Sequence, residues 1–126
     1  MASIDHIIVK VNDLKASVAF YTQVLGFQNE GTDGPFAPVR VGPDCQLLLA
    51  PWGTAGSEHY AFAVSRTEFD HIAGRIKEAG IAYGPTFDSV GSNAGAGEES
   101  GARGRAPTLY FNDPSKHLLE IRSYDV

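Results

Sequence analysis

The sequence predicts an α+β fold built from two βαβββ modules in one chain. Three observations carry that expectation. A strand pattern with an early histidine occurs twice, at Asp5–Val11 and Glu58–Val64. Each strand is followed by a capped, apolar-striped helix that ends at a glycine, and each helix by three short strand patterns. The 126 residues suit one domain made of two small modules, about 1–53 and about 57–126.

In the first strand Ile7, Val9 and Val11 alternate with His6, Ile8 and Lys10, so the histidine stands on the face opposite the apolar set. Asn12-Asp13 offers an N-cap, and Leu14, Val18, Tyr21 and Leu25 recur at helical spacing before Gly26. In the second strand Tyr60, Phe62 and Val64 share one face and His59 the other. Ser65-Arg66-Thr67-Glu68 reads as a capping box, and Phe69, Ile72, Ile76 and Ala79 form the stripe that Gly80 ends. The remaining strands are expected near 27–30, 38–41 and 46–50, then near 82–87, 108–112 and 118–123. The Gly-, Ser- and Ala-rich stretch 88–105 lacks apolar periodicity and reads as a mobile surface loop, a candidate lid.

Composition narrows the function classes. With 43% hydrophobic and 20% charged residues, the chain is an ordinary globular one. A net charge of −5 disfavours a nucleic-acid surface, which needs clustered Lys and Arg. Cys45 is the single cysteine, which excludes an intrachain disulfide and a thiolate metal cluster. The N-terminus lacks a signal-peptide layout and no run approaches a membrane span, so the expectation is a cytoplasmic protein without membrane partners.

Two such modules can curve toward each other as a mixed sheet around a cleft. Strand parity then turns His6 and His59 into it. In the last strand Leu119 and Ile121 face the core while Glu120 faces the cleft. A buried carboxylate needs a cation or a donor network, and two imidazoles with one carboxylate suit Fe(II), Mn(II) or Zn(II). A single strand histidine is more often a hydrogen-bonded structural residue; it is the repetition that favours ligation. His71 and His117 read as surface or turn-stabilising residues. Lys10, Arg40, Arg103, Arg105 and Arg122 read first as exposed solubilising charges and second as contacts for substrate anions. Trp52 reads as a cleft wall or as packing at a module boundary.

Ile4-Asp5-His6-Ile7, Ala19-Phe20-Tyr21 through Leu25-Gly26-Phe27, His59-Tyr60-Ala61-Phe62, and Tyr110-Phe111-Asn112-Asp113-Pro114 through Leu119-Glu120 together resemble the vicinal oxygen chelate superfamily. That group includes glyoxalase I, extradiol ring-cleaving dioxygenases, fosfomycin resistance proteins and bleomycin-binding proteins. The resemblance implies one divalent metal (Fe, Mn or Zn) on His6, His59 and Glu120, and a small substrate with vicinal oxygens. It implies Tyr110 as a catalytic contact to the bound substrate, and a homodimer that pairs modules across a twofold axis. The carboxylate or Gln ligand that glyoxalase I places on the last strand of its first module is missing, with Leu47 in its expected place and Gln46 one residue away, which disfavours lactoylglutathione lyase activity. Ile8 stands where fosfomycin proteins present a threonine, and 88–105 does not match their short cation-binding loop. The base histidine of the dioxygenases has no counterpart, and most of them carry the module pair twice. The expectation is dioxygenase-like chemistry, with fosfomycin-type thiol transfer or metal-free drug binding as alternatives.

Overall fold

The computed structural model describes residues 1–125, and the chain forms two compact units, Met1–Ala55 and Gly56–Val126. In the first unit, β1 (His6–Lys10) leads to α1 (Leu14–Ala19), then β2 (Gln28–Asn29), β3 (Ala37–Gly42) and β4 (Cys45–Ala50). The sheet order is β1-β4-β3-β2; β1 and β4 run parallel and the other neighbours antiparallel. The Asp13 side chain caps α1 by accepting from Ala16 N at 3.0 Å, satisfying one orphan donor of the first turn. The helix continues as a π-helical turn over Phe20–Val24, where Leu25 N reaches back five residues to Phe20 O. Gly26 then reverses the chain at φ 77°, a backbone that L side chains rarely adopt. Val9, Val11, Tyr21, Val39, Leu47 and Leu49 form the core of this unit.

The second unit repeats the plan with an addition. Strand β5 (His59–Ala63) leads to α2 (Arg66–Glu78), β6 (Tyr83–Gly84), β7 (Gly97–Gly101), β8 (Gly104–Asn112) and β9 (Leu118–Arg122). The order is β5-β9-β8-β6, with β5 parallel to β9 and β7 also paired to β8. Ser65 Oγ accepts from Glu68 N at 3.1 Å, half of the capping box read from the sequence. The stripe Phe69, Ile72 and Ile76 is buried. Both units are mixed sheets with one main helix each, so the fold class is α+β as predicted.

The loop reading of 88–105 is corrected over its second half, while 88–96 forms turns and irregular backbone. Residues Gly97–Gly101 and Gly104–Thr108 pair as an antiparallel hairpin. Before it, Gly91 N and Asn93 N both donate to Tyr83 O, and Asn93 Oδ1 accepts from Tyr83 N. The glycines of this stretch have two reasons: a Cβ on Gly97 would strike the Pro85 carbonyl, as one on nearby Gly84 would the Ser89 backbone, while Gly91, Gly95 and Gly104 stand at positive φ. Among the described residues no helix is long and apolar enough to cross a membrane.

Candidate functional site

Strand register places the polar residues of the second unit in rows. Ala61 of β5 lies beside Glu120 of β9, Glu120 beside Tyr110 of β8, and Tyr110 beside Gly84 of β6. One row away, Ala63, Arg122, Thr108 and Gly97 align in the same order. Alternation then gives His59, Glu120, Arg122, Tyr110 and Thr108 one face, while Leu119, Ile121, Leu109 and Phe111 face the core.

Glu120 is 3% exposed and sits at the centre of this set. His59 Nε2 lies 3.2 Å from Glu120 Oε1. Arg122 Nη1 donates to Glu120 Oε2 at 2.8 Å. The ring of Tyr110 lies 5.8 Å from that of His59, and its hydroxyl hydrogen-bonds Glu120. Burial first, then that bond and the Glu120 charge, push the Tyr110 phenol above its ordinary value. Tyr110 is therefore a neutral donor at physiological pH. Its stabilising contribution is fully present below the ordinary phenol value and is lost only as pH rises through the raised one. Ultraviolet titration of wild type minus Tyr110→Phe is expected to show no tyrosinate from this residue at or below pH 10.0, the unshifted value; ionisation there would contradict the assignment.

Of the residues singled out from sequence, His59, Glu120 and Tyr110 are gathered within this unit. His6 belongs to the first unit, on the exposed face of β1, with Nδ1 at 2.6 Å from Asp5 Oδ2. A carboxylate only accepts, so Nδ1 is the donor to Asp5, and in the neutral imidazole this tautomer leaves the lone pair on Nε2. Among the described residues, no group of three or more His, Cys, Asp and Glu side chains gathers as a complete ligand set.

The donor chemistry of the assembled pair fits a divalent metal. Two donors sharing one ion at about 2.1 Å each lie roughly 3.0–3.4 Å apart, and His59 Nε2 and Glu120 Oε1 are 3.2 Å apart. With Oε2 engaged by Arg122, Glu120 offers a single oxygen. An ion held by this pair would need the lone pair of His59 Nε2, so that nitrogen would have to be unprotonated.

Arg122 is the residue sequence reading misplaced. It is 6% exposed rather than a solubilising charge. The usable signal was its position two residues after Glu120 in one strand, hence on the same face. Arg40 and Arg105 are ion-paired, to Glu30 at 2.9 Å and Glu98 at 3.1 Å, and Arg103 lies over the Tyr124 ring. Trp52 is 54% exposed and edges onto Phe36. His71 is exposed on α2, whereas His117 is fully buried, its Nδ1 accepting from Glu58 N at 3.3 Å.

The glyoxalase-ligand position also needs correcting. His6 pairs with Gln46 and Ile8 with Leu48, as His59 pairs with Leu118 and Ala61 with Glu120. The first-unit counterpart of Glu120 is therefore Leu48, and Leu47 is a core residue. Either leucine leaves the place without a ligand. Gln46 instead donates to Glu30 at 2.7 Å, and this bond, ahead of Arg40, holds the Glu30 carboxyl below its ordinary value.

Comparison with known proteins agrees with this architecture. The chain belongs to the Glyoxalase/Bleomycin resistance protein/Dioxygenase superfamily, whose family model matches residues 3–121. It is similar to Virulence protein STM3117 of Salmonella typhimurium, 29% identical over 96% of this chain and 83% of that protein. It is also similar to Glutathione transferase FosA of Serratia marcescens, 26% identical over 96% of this chain and 80% of that protein. Among solved structures, Oxidase ChaP-H2 superposes with a TM-score of 0.83 at 33% identity, covering 98% of this chain and 94% of that one.

Proposed function

We propose that the protein is a metal-dependent enzyme acting on a small substrate with vicinal oxygens, with dioxygen chemistry ahead of thiol transfer. The observation that carries this reading is the His59–Glu120 pair, 3.2 Å apart beside a neutral Tyr110. His6 completes the ligand set, its Nε2 left free by the Asp5 contact. A divalent metal on His6, His59 and Glu120 supplies Lewis acidity toward neighbouring substrate oxygens and, as Fe(II), access to dioxygen.

The chain's own groups do the rest. His59 would hold the metal through an unprotonated Nε2 and Glu120 through Oε1, with Glu120 kept oriented by Arg122. The Tyr110 hydroxyl, now donating to Glu120, turns its proton toward an incoming substrate oxygen, so binding exchanges one hydrogen bond for another. The likeness to an oxidase at 33% identity supports dioxygen chemistry. The likeness to a glutathione transferase at 26% supports the second reading, thiol addition to an activated small molecule. A homodimer in which His6 of one chain meets His59 and Glu120 of the other is part of the proposal.

Protein loaded anaerobically with Fe(II), then given oxygenated buffer and a catechol panel, is expected to consume dioxygen. Thiol consumption with Mn(II) and an epoxide, without oxygen uptake, would move the assignment to the second reading. No turnover in either assay, together with tight binding of aromatic drugs to metal-free protein, would replace both with sequestration.

A further inference from the structure

We infer that Arg122 is a positioning residue for Glu120, seated in a socket made by the β7–β8 hairpin so that Glu120 presents one oxygen to a metal. The inference rests on the metal reading above. Four guanidinium contacts define the socket. Nη1 donates to Glu120 Oε2 at 2.8 Å and to Ser100 O at 3.2 Å. Nη2 donates to Glu99 O at 2.9 Å and to Gly104 O at 3.1 Å. The Tyr124 ring covers the group at 5.0 Å. The remaining donor, Nε, is buried without a partner.

Gly101 shows that the hairpin is shaped around this side chain. A Cβ there would collide with Arg122 Cζ and with Tyr124 Oη. Three main-chain carbonyls aimed at one guanidinium fix its plane, and the planar fork in turn fixes the carboxylate it holds. The charge of Arg122 opposes that of any dication on Glu120, so attraction is not its contribution. Direction is: it occupies Oε2 and leaves Oε1 facing His59 Nε2. The hairpin thus acts on the site through Arg122.

Cobalt(II) is the probe, because its visible absorption reports ligand number and geometry. In Arg122→Met the freed Oε2 is expected to join the metal, changing the absorption, and affinity is expected to fall about tenfold or more, as for other lost outer-shell partners. Arg122→Lys restores the charge but not the fork, and should keep the altered spectrum. A Met variant whose spectrum superimposes on wild type would overturn the inference, and so would full rescue by Lys. Should the Met variant fail to fold, Gly101→Ala keeps the charge while displacing the guanidinium. The same spectral change is expected there, and a wild-type spectrum would overturn the inference. Wild type that binds no cobalt would instead remove the metal reading itself, and this inference with it.

Discussion

Glu120→Ala is expected to cost about 3–5 kcal/mol of folding stability and to abolish metal binding, whereas His59→Ala should abolish metal binding with little loss of stability. The difference follows from burial. Glu120 and Arg122 have side chains only 4% and 7% exposed, and removing one partner of a buried pair leaves the other charge uncompensated. The three carbonyls around Arg122 soften that cost but carry no formal charge. The His59 side chain is 47% exposed, so solvent screens its contact with Glu120 and truncation should cost about 1 kcal/mol or less. Urea denaturation of both variants, with zinc titration in parallel, checks the pair. Equal stability of the two would mean that the Glu120–Arg122 contact does not carry the load assigned to it.

Mixed chains should recover metal sites that neither parent has. If His6 of one chain completes the site of another, His6→Ala and Glu120→Ala homodimers contain no intact site. Random exchange makes half the dimers mixed. Each mixed dimer has one doubly defective site and one with all three ligands, so about a quarter of all sites return under twofold symmetry. The metal content of an unfolded-and-refolded equimolar mixture measures this. No recovery, from a mixture shown to contain mixed dimers, would assign all three ligands to a single chain.

Much of the fold was readable because local signals agreed. Asp13 and Ser65 cap the helices where short polar side chains precede an apolar stripe. Gly26 and Gly80 follow the helices at positive φ. His6 and His59 were placed on their faces by alternation alone. Reading failed where alternation was absent. Leu47-Leu48-Leu49 offers no polar marker of parity, so side-chain pattern points to Leu47 where register puts Leu48. Strand β7 was missed because its sequence, Gly-Glu-Glu-Ser-Gly, has no apolar face; its glycines answer to Pro85 and Arg122, neighbours visible only after folding. Arg122 is a different case, because alternation sets it on the Glu120 face and only its burial is illegible. Its neutralising partners are one side chain and three main-chain carbonyls, and the carbonyls leave no trace in side-chain pattern.

Metal content bears most directly on the central claim that one divalent metal is held by His6, His59 and Glu120. Elemental analysis of protein purified without chelator, followed by equilibrium titration of the stripped protein, should give one ion per chain for wild type. The His6→Ala and His59→Ala double variant should give none, since the one remaining ligand cannot hold such an ion at neutral pH. Stoichiometric, tight binding that persists in the double variant would contradict the account.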